Sequence, residues 1–214
     1  MEVKLLTYTR DPEFFIASAA RLSIGGEIVS REDVERLLKK LISMGHMSPF
    51  EHASFTFLIR GISRVASHQL VRHRIASYTQ ESQRFVELEP SFVIPESING
   101  EMRERVEKIL LEASSLYKEM VEKGIPLEDA RFILPQAVKT NIIVTMNARE
   151  LIYASSLRLC SRAQWEIREV FRRMKEEVMK VAPIIGEEMK PKCYSLGYCN
   201  ERESCGLFPL KSKV

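Results

Sequence analysis

Residues 140–159 read TNIIVTMNARELIYASSLRL, and they contain the change of pattern that decides the fold. Branched side chains dominate residues 140–147, which favours a β-strand. Asn147 stands at the end of this strand, where its side chain can cap a helix formed by residues 148–159. The stretch therefore predicts a strand that passes directly into a helix.

Two more strands are predicted towards the amino terminus, where VKLLTY (residues 3–8) and ASFTFLIRG (residues 53–61) carry branched and aromatic side chains. Capping residues and glycine stops predict the helices. The first helix has Asp11 as its cap and Pro12 in its first turn, and it runs to about Leu22. Further helices begin after Ser30, with Gly45 as the stop, and after Ser63. The remaining helices run from about residue 98 to residue 123 with Gly124 as the stop, from Pro126 to about residue 134, and over residues 162–182. Since long helices separate three or so strands, the pattern favours an α+β domain over a succession of βαβ units.

Composition limits the classes of protein that fit. The 214 residues are 45% hydrophobic and 29% charged, which is enough for one sizeable core, so one domain over residues 1–214 is the default. A formal net charge of +3 is too small for a general nucleic-acid or membrane binder. No segment is apolar enough to span a bilayer, and the amino terminus lacks a signal-peptide cleavage pattern. We therefore expect a cytoplasmic protein without a membrane partner.

A carboxy-terminal tail at about residues 190–214 contains Cys193, Cys199 and Cys205, and Cys160 lies upstream. The gaps of five residues between the tail cysteines do not match the CxxC spacing of common zinc sites. A disulfide, a metal and a tail simply packed on the body all stay open.

The four histidines fall in one short region, at His46, His52, His68 and His73. No HExxH motif and no acidic partner at a ligand spacing accompanies them, so no metal site is predicted. Their clustering also fits a substrate pocket, and a structural hydrogen-bonded role is as good an interpretation of His52 as a site role.

A basic stretch, RHRIASYTQESQRF at residues 72–85, has little helical or strand periodicity and is expected to be a polar loop. Arg72, Arg74 and Arg84 can form the bidentate contacts that suit phosphate or carboxylate, and Ser82 can donate a hydrogen bond to an anion. The alternatives are a solvated surface turn and an RNA-binding loop in which a neighbouring aromatic ring stacks on a base.

The helix predicted at residues 64–74 delivers side chains into this loop. Gln69, Arg72 and His73 are three and four residues apart, so the helix places them on one face, toward one ligand. The sequence has no GxGxxG after a strand, no GxxxxGK[ST] and no GxSxG. A Rossmann site, a P-loop and an activated serine are therefore not indicated.

Four blocks, all in the same order, resemble those of the flavin-dependent thymidylate synthases. Arg72, His73 and Arg74, followed by seven residues and then Ser82, match the family's RHR-x7-S signature. GHMSPFEHASFTF, ARFILP, and MNARELIYASSLRL with AQWEI match the other blocks, so the likeness covers most of the chain between residues 46 and 167.

The resemblance implies reductive methylation of dUMP to dTMP, with methylenetetrahydrofolate as the one-carbon donor and FAD reduced by NADPH as the hydride source. It also implies a small antiparallel sheet flanked by long helices, and a homotetramer with active sites between subunits. No metal and no nucleic-acid partner is expected.

By resemblance, Arg158 is the catalytic residue, since a fixed cation beside uracil N3 favours its ionisation. The resemblance assigns dUMP binding to Gln69, Leu70, Val71, Arg72, Gln80, Glu81, Ser82, Gln83, Arg84, Arg131 and Arg158. It assigns FAD binding to His46, Ser48, Arg72, His73, Arg74, Gln80, Asn147, Ala148, Arg149 and Tyr153. Gln80, Tyr153 and Arg162 depart from residues that relatives carry, so the contacts at these positions stay open. A flavin reductase without methyl transfer would need the FAD set but not the dUMP set.

Overall fold

The computed structural model describes residues 1–23, 25–27 and 30–211. Four strands are present in these ranges: β1 (Glu2–Tyr8), β2 (Ser54–Ser63), β3 (Ala76–Gln80) and β4 (Lys139–Asn147). They form one antiparallel sheet in the order β1-β2-β4-β3. The predicted α+β fold with a small antiparallel sheet is confirmed, and the three strands expected from the sequence are β1, β2 and β4.

Helices surround this sheet. They are α1 (Pro12–Leu22), α2 (Arg31–Ser43), α3 (Arg64–Leu70), α4 (Gly100–Glu122), α5 (Leu127–Ala130), α6 (Ala148–Arg158), α7 (Trp165–Met179), α8 (Pro183–Glu188) and α9 (Lys192–Leu196). Short 3₁₀ turns lie at Ser48–His52 and Arg131–Ile133.

Alternate side chains of the two central strands build the core. Phe55 and Phe57 of β2 and Val144 of β4 are fully buried, and they share one hydrophobic cluster with Phe171 of α7. Phe50, from the turn before β2, is buried in the same cluster, so these phenylalanines are core residues. Each fully buried phenylalanine contributes about 2 kcal/mol through the area it removes from water.

Side-chain caps fix three of the predicted helix starts. The side chains of Ser30, Ser63 and Asn147 accept hydrogen bonds from backbone amides in the first turns of α2, α3 and α6. Asp11 differs, because its backbone is left-handed with a φ of 43° and its side chain makes no capping bond. The side-chain cap predicted for Asp11 was therefore wrong, and only its carbonyl accepts, from the Phe15 amide at 2.9 Å.

The AQWEI block has a structural role at the start of α7. The Gln164 side chain accepts from the amides of Glu166 and Ile167 at 3.0 and 2.9 Å, so α7 begins three residues later than predicted. Buried Glu166 in turn accepts from the backbone amide of Ser63 at 2.7 Å and from its hydroxyl. This pair joins α7 to the point where β2 becomes α3.

The prediction of a loop over all of residues 72–85 was wrong at residues 76–80, which form β3. The side chains of β3 alternate between half-buried and exposed positions, and its backbone pairs with β4 along the edge of the sheet. The pairing with β4 holds this short polar strand in place, and a local pattern does not reveal such a partner.

α3 ends at Leu70, four residues before its predicted end. The chain then turns, so that His73 is only 5% exposed while Arg72 and Arg74 face solvent. The Tyr78 hydroxyl lies 2.8 Å from the carbonyl oxygens of both Leu70 and His73 and stabilises this turn. The residues expected on one helix face therefore diverge, and that prediction was wrong.

The long helix α4 leaves apolar side chains uncovered. Leu110 and Tyr117 are its buried residues, whereas Ile109 and Leu111 are more than 60% exposed. Within residues 1–23, 25–27 and 30–211, no helix is both long enough and apolar enough to cross a membrane.

The carboxy-terminal tail packs on the body, and residues 212–214 of the predicted tail lie outside the described residues. Arg162 Nη1 lies 3.3 Å from the Glu203 carboxylate and holds the tail against the connection between α6 and α7. The rings of Tyr194 and Phe208 pack edge to face, with centroids 5.3 Å apart.

Candidate active site

Two buried side chains, His73 and Glu150, hold Arg158 in one orientation at the end of α6. Arg158 Nε donates to His73 Nε2 at 3.0 Å, and Arg158 Nη2 donates to the Gln69 carbonyl at 3.2 Å. On the other side of the ring, His73 Nδ1 lies 3.3 Å from Glu150 Oε1. The side chains of His73 and Glu150 are 4% and 6% exposed. Arg158, His73 and Glu150 are called the buried relay below.

The partners of His73 fix its charge and tautomer. A guanidinium N–H can only donate, so Nε2 must offer a lone pair and the ring proton must sit on Nδ1, facing Glu150. Burial, and then the charge of Arg158, lower the pKa of His73 from 6.5 to about 4. His73 is therefore neutral at pH 7, which is the state that the bond from Arg158 requires.

The groups around the relay follow the same rule of burial. Desolvation raises the pKa of Glu150 and lowers that of Arg158, while the pKa of Tyr78 is raised chiefly by burial and then by Glu150. The Phe171 ring lies 5.9 Å from the His73 ring and closes the core side of the relay. Tyr78 is half-buried, and its hydroxyl bonds to backbone carbonyl oxygens. Because these bonds hold the ring against the protein, they argue against a role in stacking on a base.

A second group of cations lies near the amino-terminal end of α3. Arg84 Nε donates to the Glu128 carboxylate at 3.0 Å, and Arg84 Nη2 lies 2.9 Å from the same oxygen. Arg131 Nε donates to the Glu128 carbonyl at 3.0 Å. Arg64 Nη2 donates to the Glu81 carbonyl at 3.0 Å, and the charge of Arg131 adds to burial in lowering the pKa of Arg64. Arg64, Arg84 and Arg131 are called the arginine cluster below.

The polar residues between β3 and the arginine cluster bond to the protein itself. Gln80 Nε2 donates to Ser67 and Thr140 at 2.9 and 3.3 Å, and the Ser82 hydroxyl accepts from the Arg84 amide at 3.2 Å. The Glu81 carboxylate accepts from Asn141 Nδ2 at 3.2 Å. Gln83 is half-buried, Leu70 is buried, and Val71 is 37% exposed.

Five of the ten residues predicted to bind flavin border two open cavities. One, of about 840 Å³, is lined by His46, Ser48 and Arg149. The other, of about 700 Å³, is lined by Asn147, Arg149 and Tyr153. Both volumes fall in the range of small-molecule sites. Arg149 is the predicted residue that the two cavities share, and its guanidinium pairs with Glu51.

Five of the predicted flavin residues line neither cavity. His73 belongs to the buried relay, and Gln80 bonds to Ser67 and Thr140. Ala148 is fully buried, so only its backbone is placed to contribute. Arg72 and Arg74 are exposed, and their guanidinium groups form no ion pair with the residues that the structure describes. Such cations suit the phosphates of a dinucleotide.

Sequence reasoning missed three kinds of site residue. Glu150 is buried beside His73, but a single glutamate on a helix gives no signal of its own. Arg64 has a buried Nε that lacks a hydrogen-bond partner among the described atoms, which only the fold reveals. Lys190 and Lys192 border the 700 Å³ cavity from outside the matched blocks, and no local motif indicated them.

The chain is similar to proteins of a known family. The family described as thymidylate synthase complementing protein matches residues 4–184. Flavin-dependent thymidylate synthases of Pyrococcus furiosus and Geobacter sulfurreducens are 52% and 50% identical to it, over 95% and 94% of this chain and 91% of each relative. A crystal structure titled as a UMP/dUMP methylase, PolB from Streptomyces cacaoi bound with 5-Br dUMP, matches with a TM-score of 0.78 and 27% identity, covering 87% of this chain and 93% of that one. This chain therefore belongs to the flavin-dependent thymidylate synthase family.

Proposed function

We propose that this chain converts dUMP to dTMP by reductive methylation, with methylenetetrahydrofolate as the carbon donor and NADPH as the reductant of bound FAD. The observation that carries the proposal is the placement of two cationic groups at the two ends of α3. Gln69, near its carboxy-terminal end, accepts from Arg158, and Arg64, at its start, joins the arginine cluster.

α3 sets the spacing between these groups. Five residues separate Arg64 from Gln69, so the helix rises by about 7.5 Å between them. This is roughly the reach from the phosphate to the base of a nucleoside monophosphate. We assign the phosphate of dUMP to the arginine cluster and the uracil ring to Arg158.

Arg158 acts on the uracil ring in this proposal. Its Nε and one Nη are engaged by His73 and the Gln69 carbonyl, so the remaining N–H groups are available to a ligand. A cation held beside uracil N3 and its carbonyl oxygens stabilises the deprotonated ring, which raises electron density at C5. Carbon C5 can then attack the methylene donor without a cysteine nucleophile.

His73 and Glu150 are positioning residues in this scheme. The neutral imidazole accepts a hydrogen bond from Arg158 Nε–H, and Glu150 holds the ring by its Nδ1 side. A guanidinium fixed in this way does not have to reorganise when negative charge develops on uracil. This absence of reorganisation is a main source of electrostatic catalysis.

The residues around the two cavities fit a flavin dinucleotide. Lys190 and Lys192 supply cations for phosphate groups at the 700 Å³ cavity, and Tyr153, 57% exposed, supplies an aromatic surface there. Arg72 and Arg74, which are exposed outside the cavities, supply two more cations. A bound reduced flavin would supply the hydride. The cavities stay open on one side of the single chain, and the uncovered apolar residues of α4 support a homotetramer with active sites between subunits. A cytoplasmic location and a single domain over residues 1–214 stay predictions.

The experiment that tests this function follows tritium release from 5-tritiated dUMP by the purified protein. FAD, NADPH and methylenetetrahydrofolate are supplied together and then omitted one at a time. We expect release and dTMP formation that require all three. NADPH oxidation that proceeds equally well without dUMP, with no tritium released, would instead establish a flavin reductase.

A further inference from the structure

The tail and the end of α6 bring all four cysteines of the chain to one place. Cys160 follows α6, Cys193 lies on α9, and Cys199 and Cys205 belong to the segment after it. All four line one cavity of about 80 Å³. Three separate stretches of chain thus place their thiols around one cavity. The proposed methylation reaction uses none of these thiols.

The thiols differ in exposure and in chemical environment. Cys205 is exposed, and the hydroxyl of Ser161, followed by the Leu207 amide, lowers its pKa. Cys193 is half-buried, and desolvation raises its pKa. The other three thiols, which line the same cavity, also raise the pKa of Cys193. The thiolate is the reactive form of cysteine, so Cys205 is the accessible nucleophile and Cys193 the shielded neighbour.

We propose that Cys205 and Cys193 are a redox modification site, in which a hydroperoxide oxidises Cys205 and Cys193 then closes a disulfide with it. In the first step, the Cys205 thiolate attacks a peroxide oxygen, the O–O bond breaks, and an alkoxide or hydroxide leaves with the electron pair. In the second, the Cys193 sulfur attacks the sulfenic sulfur, the S–O bond breaks, and the hydroxyl leaves as water with the proton of Cys193. Two thiols lose two electrons and the peroxide gains them.

Cys199 and Cys160 are less suited than Cys205 to be the exposed thiol that the peroxide oxidises first. Cys199 is buried, and its backbone bridges to the segment around Leu210, which holds it in place. Cys160 is fixed at the end of α6 and is half-buried. A metal is the other use of clustered thiols, but no three Cys, His, Asp or Glu side chains in the described ranges are arranged to hold an ion.

The location gives the modification a consequence for the fold. Lys192, next to Cys193 on α9, lines both the thiol cavity and the 700 Å³ cavity that carries the flavin residues. A disulfide from Cys193 to Cys205 closes a loop within the tail and restrains α9 where it forms the wall between the two cavities.

The test treats the purified full-length holoenzyme with hydrogen peroxide, blocks the remaining thiols with N-ethylmaleimide, and maps peptides by mass spectrometry without reduction. We expect the four free thiols to fall to about two, with Cys193 joined to Cys205, and dithiothreitol to restore them. Cys205→Ser should form no such cross-link. Cys193→Ser should leave a sulfenic acid on Cys205 that dimedone captures.

Cys199→Ser is the matched control, since it removes a thiol of the same cavity and should leave the Cys193–Cys205 cross-link intact. The proposal is overturned by a cross-link from Cys193 to Cys160, or by four thiols that survive peroxide. It is also overturned by a stoichiometric metal ion, measured by plasma mass spectrometry, that protects all four thiols from the blocking reagent until a chelator removes it.

Discussion

The buried relay and the arginine cluster use bonds of similar length in opposite surroundings. The bond from Arg158 to His73 is 3.0 Å long, and those from Arg84 to Glu128 are 2.9 and 3.0 Å. The side chains of His73 and Glu150 are about 5% exposed, whereas those of Arg84 and Glu128 are both more than 50% exposed. Length alone therefore says little about what each bond does.

The degree of burial decides how firmly each of these interactions is held. An exposed ion pair contributes about 0–1 kcal/mol and exchanges readily with water or another anion. A buried donor left without its acceptor costs about 1–3 kcal/mol, so the relay keeps one geometry. The relay is suited to fixing a catalytic cation, and the cluster is suited to giving up its own carboxylate for an incoming phosphate.

The largest effect is expected from Arg158→Ala. Without the cation beside uracil N3, the rate of dTMP formation should fall by about 10³-fold, as when a preorganised electrostatic group is removed from other enzymes. Flavin should stay bound, which the absorbance spectrum of the purified variant measures. Arg158→Lys keeps a charge but cannot reproduce both bonds, so it should recover only part of the rate. A near-normal rate in Arg158→Ala would remove Arg158 from the mechanism.

The next effect concerns stability and pH. His73 has a folded pKa of about 4 against 6.5 for the ordinary group, so between these values the unfolded chain binds a proton that the folded chain does not. The contribution of His73 is complete above pH 6.5 and is lost as pH falls to about 4, for a total of about 3 kcal/mol. Urea unfolding at several pH values measures it.

His73→Gln is the control for this pH effect, because it removes the titration and keeps Glu150. The raised pKa of Glu150 works in the opposite direction, since the folded protein then binds the extra proton, and both proteins share that contribution. The variant should show a flatter dependence between pH 4 and 6.5. Parallel curves for the two proteins would mean that His73 is not held neutral by the fold.

A smaller effect is expected at the arginine cluster. If Arg84 binds the phosphate as proposed, Arg84→Ala removes one charge-assisted bond, so the KM for dUMP should rise about 10-fold while kcat changes little. Its free energy of unfolding should change by no more than about 1 kcal/mol. Arg172→Ala is a matched control, because Arg172 is an equally exposed, ion-paired arginine on α7. A fall in kcat at constant KM would move Arg84 from binding to catalysis.

Local patterns predicted the parts of the fold that local forces decide. Branched residues and caps indicated β4, α6 and α2, because the Asn147 and Ser30 side chains act within one turn of chain. β3 was missed, since its polar side chains are held by pairing with β4. The end of α3 was missed as well, because it depends on where the Tyr78 hydroxyl lies in the folded chain.

The candidate site likewise combines features that local sequence indicates with features that only the packed fold decides. The motifs selected Arg158 and His73, but the bond between them spans 85 positions of sequence and no spacing rule predicts it. Glu150 lies within a matched block, but the resemblance assigned it no role, yet it completes the relay. Residue types and order are therefore enough to indicate the family, while the direction in which Arg158 points is a property of the packed core.

The smallest and sharpest effect is expected from Glu128→Gln. If the phosphate replaces this carboxylate on Arg84, removing the negative charge should lower the KM for dUMP about 2- to 3-fold and leave kcat unchanged. The amide can still accept from Arg84, so the local fold is kept. In a double-mutant cycle with Arg84→Ala the gain should disappear, because Arg84 carries it. A higher KM in the single variant would mean that Glu128 instead orients Arg84 for the phosphate, and the cluster would then be preorganised by its ion pair as the relay is by its burial.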